Sequence, residues 1–92
     1  MVEMISIVIP VYNEERAIKD TINSIKYTIK NVKEYNFEII AVNDCSKDNS
    51  KEILDNIEGI KVIHNISNKG YGASLKKGIK LSHGKWILIT DA

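Results

Sequence analysis

Residues 4–32 read MISIVIPVYNEERAIKDTINSIKYTIKNV, and a change of period inside this stretch decides the fold. Met4 to Ile9 is a short apolar, β-branched run closed by Pro10, which has no N–H for a sheet ladder and so marks the predicted end of a strand. From Glu14 to about Val32, the residues Ile18, Ile22, Ile25, Ile29 and Val32 recur at spacings of three and four, with Lys19, Lys26, Lys30 and Lys33 mostly off that stripe. That period predicts an amphipathic helix.

The same alternation continues outward from this unit. Phe37 to Val42 predicts a second strand, followed by the polar stretch NDCSKDNS and a short helix with Ile53, Leu54 and Ile57 facing inward. Ser46 or Asp48 is placed to cap that helix. Ile60 to Ile63 predicts a third strand, and NISNKGYGAS then leads into a helix from about Tyr71 to Leu81, ended by Gly84. Trp86 to Thr90 predicts the fourth strand. Strands alternating with helices imply right-handed crossovers, so the fold class is α/β: a Rossmann-like three-layer α/β/α sandwich on a parallel four-stranded sheet, in the expected order 3-2-1-4.

Ninety-two residues, 43% of them hydrophobic, suffice for one small core and one domain, residues 1–92. A net charge of +1, from 13 basic and 12 acidic residues, offers no basic stripe for nucleic acid. Cys45 is the lone cysteine and Arg16 the lone arginine. With no second cysteine and no His pair at metal spacing, the expectation is a cytoplasmic chain, and no run is long enough to span a membrane.

The chemistry-bearing segments PVYNEE, NDCS, NKGYG and TDA each follow a strand, so all four gather on the carboxyl edge, where such sheets bind ligands. Tyr12 can stack on a base and Glu14 can accept from ribose or base N–H groups, with Pro10 fixing their loop; Asn13 and Glu14 can equally cap the following helix. Asp44 can accept from a base imide or a ribose, or serve the turn alone. Gly70 and Gly72 before a helix let backbone approach a phosphate, with Lys69 adding positive potential. A dinucleotide fingerprint fails here, because its third small residue would fall on Leu75 and the loop follows the third strand rather than the first. A receiver-type sheet fits no better, since the third strand ends in His64 and Asn65. His64, His83 and Cys45 carry no partner pattern, and Lys76, Lys77 and Lys80 read as a solvated helix face.

The segments ISIVIPVYNEE, IIAVNDCSKDNS, NKGYGASLKKGI and GKWILITDA, in that order, resemble the amino-terminal half of family 2 glycosyltransferases with the GT-A fold, closest to the dolichyl- or polyprenyl-phosphate sugar transferases. The resemblance implies a UDP- or GDP-sugar as partner, bound by Pro10, Tyr12 and Glu14 and by the second-strand pair Val42 and Asp44, beside the Lys69–Gly70 loop. It implies that Asp91 is the first aspartate of a D-x-D motif that contacts the ribose or diphosphate and organises Mg²⁺ or Mn²⁺. It further implies inverting sugar transfer to an acceptor such as polyprenyl phosphate at the cytosolic face of a membrane. Where the family pattern reads DDGS, this chain has Asn43, Asp44, Cys45 and Ser46. The second aspartate of D-x-D would follow Ala92, so the expectation is a subdomain truncated before the end of that motif, with a weak metal site and no transfer activity of its own. The alternative is a structural module that self-associates through the apolar edge strand WILIT without binding nucleotide. A homo-oligomer through that fourth-strand edge is expected in either case.

Overall fold

The structure, a computed structural model, describes residues 2–92. Its elements run β1 (Glu3–Val11), α1 (Ile18–Ile29), β2 (Tyr35–Asn43), α2 (Ser50–Asp55), β3 (Lys61–His64), α3 (Tyr71–Leu81) and β4 (Trp86–Ile89). The four strands form one sheet in the order β3-β2-β1-β4. All three pairings are parallel, as the alternating pattern requires.

The register assigns the two faces. Ile5, Ile7, Ile9 and Val11 pair with Phe37, Ile39, Ala41 and Asn43, while Ile5 and Ile7 also pair with Trp86 and Leu88. Because side chains alternate along a strand, the odd positions of β1 share one face. On that face Ile7, Ile9, Val11, Ile39 and Ala41 form a buried cluster with Ile18 and Ile22 of α1 and Leu54 of α2. The even face carries Ser6, Val8, Ile40 and Val42 and is covered by α3. Close approach there depends on Gly78, where a Cβ would stand 2.5 Å from Val8 Cγ1 and 3.2 Å from Val42 Cγ2.

Three sequence expectations are corrected. Pro10 does not end β1, which continues to Val11 beside β2. Even-numbered residues of β1 aim their backbone groups at β4, where Lys85 N–H donates to Met4 O and Thr90 N–H to Val8 O. Pairing with β4 stops at Val8, and the donor that Pro10 lacks lies on that side, so the ladder to β2, which uses the odd-numbered residues, continues past it. Helix α1 begins at Ile18 rather than Glu14. Asn13, at φ 53°, breaks the helical path, and the Glu14 and Glu15 amides are taken by Ser50 and Asp48. Gly84 is no left-handed helix cap, since α3 runs into extended Ser82. Its role is proximity: Gly84 N–H donates to Ser6 Oγ at 2.8 Å, and a Cβ would stand 2.6 Å from the Ser6 nitrogen.

Strand β4 is the sheet edge, with Trp86, Ile87, Leu88 and Ile89 all exposed. No helix among the described residues is long and apolar enough to cross a membrane.

Candidate functional site

The loops that follow β1, β2, β3 and β4 meet at the carboxyl edge around an open cleft of about 440 Å³. Its walls are Pro10, Val11, Tyr12, Glu14, Asp44, Asn68, Gly70, Tyr71, Ser74, Asp91 and Ala92. Sequence reasoning placed Pro10, Tyr12, Glu14, Asp44, Gly70 and Asp91 on this edge, and the fold brings all six to one cleft. Val42 and Lys69 stand apart: Val42 is fully buried beneath α3, and the Lys69 side chain is not part of the lining.

The first two loops are laced to each other by short polar side chains. Asn13 N–H donates to Ser46 Oγ at 3.0 Å, and Lys47 N–H returns a bond to Asn13 Oδ1 at 2.8 Å. Glu14 N–H donates to Ser50 Oγ and Glu15 N–H to Asp48 Oδ2, while Asp48 Oδ1 also accepts from the Ser50 N–H at the start of α2. Asp48 therefore takes the first amide of α2 without standing at the cap position, which is Asn49, whereas Ser46 turns to the other loop. Satisfying these amides locally fixes the chain direction at Tyr12, whose ring is 42% exposed on the cleft wall. Cys45, where the resembling family has glycine, is held at φ 57°, a left-handed conformation that costs a side-chain-bearing residue about 1–2 kcal/mol.

Asn43 and His64 extend the lacing inward. Asn43 Oδ1 accepts from Ser46 N–H and its hydroxyl, so its amide nitrogen faces His64 Nδ1 at 3.0 Å. His64 then donates through Nε2 to Asp55 Oδ1 at 2.7 Å. His64 is thus a bridge between β2, β3 and α2.

Asp44 is 5% exposed and works as a clamp on the third loop. Its Oδ1 accepts from Lys69 N–H at 2.7 Å and Asn65 Nδ2 at 2.9 Å, and its Oδ2 accepts from Gly70 N–H at 2.9 Å. Burial pushes the carboxyl up, but the Lys69 N–H, the Asn65 amide, the Gly70 N–H and the Ser74 hydroxyl outweigh it and hold it below the usual carboxylate range. Gly70 takes φ 93°, as the turn into α3 requires. Since the Lys69 and Gly70 amides are committed to Asp44, the amides free to meet an anion are those of the first turn of α3, at Tyr71, Gly72 and Ala73.

Asp91 sits past β4 in the cleft wall, where its Oδ1 accepts from Tyr71 Oη at 3.3 Å. Burial, the Asp91 charge and that bond together push the Tyr71 phenol up. No group of three or more His, Cys, Asp or Glu that could hold a metal occurs among the described residues.

Four contributors escaped the sequence reading. Tyr71 and Ser74 lay within the quoted NKGYGAS, but period alone gave them no role. Asn65 and Lys77 had no local signal, because only the fold sets Lys77 Nζ 2.9 Å from Asn65 Oδ1. Lys77 stays exposed on the lysine face, with its Nζ turned to Asn65.

Residues 6–92 match the family described as Glycosyl transferase family 2. A dolichyl-phosphate beta-glucosyltransferase of Trichomonas vaginalis is 33% identical over 96 residues, covering 96% of this chain and 30% of its own length. Among solved structures, S. aureus TarS in complex with UDP-GlcNAc superposes with a TM-score of 0.79 at 27% identity, covering 96% of this chain and 26% of that one. A mannosyltransferase from Pyrobaculum calidifontis in complex with GDP-Man and Mn²⁺ superposes with a TM-score of 0.84 at 17% identity, covering 99% and 28%. The chain spans less than a third of the length of the curated relatives it matches.

Proposed function

We propose, from the premise that the chain belongs to glycosyl transferase family 2, that the carboxyl-edge cleft binds the nucleoside diphosphate of a UDP- or GDP-sugar. The observation that carries this reading is the convergence of Pro10, Tyr12, Glu14, Asp44, Gly70 and Asp91 on one cleft from four separate loops. The parent reaction is inverting transfer of the sugar to an acceptor such as polyprenyl phosphate, at the cytosolic face of a membrane. These residues supply donor binding, and on its own the chain is expected to bind without transferring.

Each residue has a part consistent with its position. The exposed Tyr12 ring offers a stacking face to the base, and Glu14 lies within the same wall to accept from sugar hydroxyls. Asp44 accepts two bonds on Oδ1 and one on Oδ2, and the rotatable Ser74 hydroxyl is a further donor beside it, so a base N–H or a ribose hydroxyl would reach the carboxylate in place of that hydroxyl. Val42 contributes from beneath by fixing the strand end, and Lys69 adds positive potential. The free amides at the start of α3 face the diphosphate.

A divalent ion that arrives with a diphosphate keeps phosphate and water oxygens and asks one or two carboxylates of the protein. Asp91 fits that demand as a single ligand, which makes a weak site consistent with Mg²⁺ or Mn²⁺ carried in by the nucleotide. When bound, the ion would neutralise charge gathering on the departing diphosphate. Asp91, already oriented by Tyr71, supplies the carboxylate without rearrangement of the backbone.

Titration of the chain with UDP and GDP, with and without Mg²⁺, followed by heteronuclear NMR, tests the reading. Saturable shifts at Tyr12, Asp44 and Asp91 that strengthen with Mg²⁺ are expected. A well-dispersed spectrum that ignores both nucleotides would overturn it.

A second reading follows from the exposed β4, where Leu88 is 54% and Trp86 53% accessible. An apolar edge strand with unpaired backbone groups is suited to self-association, giving a homodimer or larger assembly. Light scattering at high concentration would refute that assembly by reporting a monomer.

A further inference from the structure

We infer that Asn65 is a positioning residue for nucleoside recognition: with Lys69 it closes off Asp44 Oδ1, so that the carboxylate meets the cleft through Oδ2, with the Gly70 N–H as its fixed donor and the Ser74 hydroxyl as an exchangeable one. The inference rests on the reading of that cleft as a nucleotide site and names the device that orients its buried acid.

Asn65 is 5% exposed, and its backbone N–H and both side-chain polar atoms are engaged. Its backbone N–H donates to Asn43 O at 2.8 Å. Its Nδ2 donates to Asp44 Oδ1 at 2.9 Å and to Ser74 Oγ at 3.2 Å, and its Oδ1 accepts from Lys77 Nζ at 2.9 Å. The ammonium of Lys77 can only donate and the Asp44 carboxylate can only accept, so the amide has one orientation that satisfies both. Reversing it would set donor against donor and acceptor against carboxylate.

The consequence reaches the cleft through Asp44. With Asn65 and Lys69 both on Oδ1, that oxygen has no acceptor capacity left, and beside the fixed Gly70 N–H on Oδ2 only the rotatable Ser74 hydroxyl stands to be exchanged for a ligand donor. Lys77 polarises the Asn65 amide, which strengthens its bond to the anion. Without the Asn65 donor, Oδ1 regains a free lone pair deep in the fold and the two oxygens lose their distinct assignments. A base N–H or ribose hydroxyl would then meet a carboxylate whose rotation is no longer set. The diphosphate, held from the α3 and β4 side, would be indifferent to this change.

The test compares Asn65→Leu, which keeps the branched heavy-atom skeleton and has no polar side-chain atoms, with the parent chain by calorimetric titration of UDP, GDP and inorganic pyrophosphate in Mg²⁺. The expected result is roughly ten- to hundredfold weaker binding of whichever nucleotide the parent prefers, the loss associated with one misplaced charge-assisted hydrogen bond, with pyrophosphate affinity unchanged. The Lys69 and Gly70 amide protons should also move upfield as the clamp loosens. Unchanged nucleotide affinity in a folded Asn65→Leu chain overturns the inference, and so does an equal loss for nucleotide and pyrophosphate, which would make Asn65 a general support of the loop. Should Asn65→Leu fail to fold, Lys77→Met decides instead: a two- to fivefold loss confined to the nucleotide supports the relay, and no loss overturns it. A parent chain that binds neither UDP nor GDP sinks the proposed function and this inference together, whereas parent binding that Asn65→Leu leaves intact sinks this inference alone.

Discussion

Two acids of one segment, Glu38 near the start of β2 and Asp44 just past its end, solve the same physical problem at opposite edges of the sheet. Glu38 pairs in register with Ser6 and accepts from its hydroxyl, from His83 N–H at 2.6 Å and from Lys61 Nζ at 2.7 Å. Asp44 accepts from two loop amides and a buried side-chain amide. Both carboxyls are pushed up by burial and pulled further down by their donors, Glu38 to about 2. The difference lies in the surroundings: Glu38 faces a cation and lines no part of the cleft, while Asp44 has no salt-bridge partner among the described residues and stands in the cleft wall. A depressed carboxyl therefore does not by itself mark a site. A carboxyl held by neutral donors at a cleft wall is the better candidate.

The comparison breaks most decisively at Asp44. Asp44→Ala would leave the Lys69 and Gly70 amides without an acceptor and take one of the two acceptors of the Asn65 amide, and at about 1–3 kcal/mol per orphaned buried donor we expect a loss of roughly 3–5 kcal/mol in urea unfolding. Nucleotide-induced NMR shifts should vanish with it. At the other edge, Gly84→Ala drives a methyl against the Ser6 backbone, and overpacking of this kind should cost about 3 kcal/mol in the same measurement without touching the cleft.

Glu38→Gln sharpens the contrast through pH. The Glu38 carboxyl titrates near 2 when folded against 4.5 in its ordinary state, so its contribution is complete above about 4.5 and drains away as pH falls toward 2. Urea unfolding from pH 7 down to pH 2 should show a shallower acid limb for Glu38→Gln, with nucleotide affinity at pH 7 unchanged. An acid limb identical to that of the parent would contradict the assignment. Smaller still is Cys45→Gly, which relieves a left-handed backbone and should stabilise the chain by about 0.5–1 kcal/mol. Tyr71→Phe closes the series: removing its exposed bond to Asp91 should alter stability by less than about 0.5 kcal/mol, so any change in the Mg²⁺ dependence of nucleotide shifts would be a local effect on Asp91.

Much of this was legible because periodicity is a local property. The Ile18, Ile22, Ile25 and Ile29 stripe located α1, the short apolar runs located all four strands, and alternation of the two types was enough for a parallel sheet in the order that the structure displays. Boundaries failed where a distant group intervened. Pro10 was misread as a stop because the sequence does not reveal on which side its missing donor would lie, and the start of α1 moved because Ser50 and Asp48, more than thirty residues away, capture the amides of Glu14 and Glu15. Lys77 looked like any solvated lysine until Asn65 was found beneath it.

The sequence by itself determined the strand and helix types, the parallel sheet and the edge on which Tyr12, Asp44, Gly70 and Asp91 gather, since each follows from spacing along the chain and from the chirality of the connections. Only the tertiary structure decided how those groups spend their hydrogen bonds: that the Lys69 and Gly70 amides serve Asp44, that Val42 lies beneath α3, and that Asn65 and Lys77 stand behind the acid. The reason is physical. A buried polar group must find partners wherever the fold supplies them, and those partners come from loops separated in sequence by twenty residues or more.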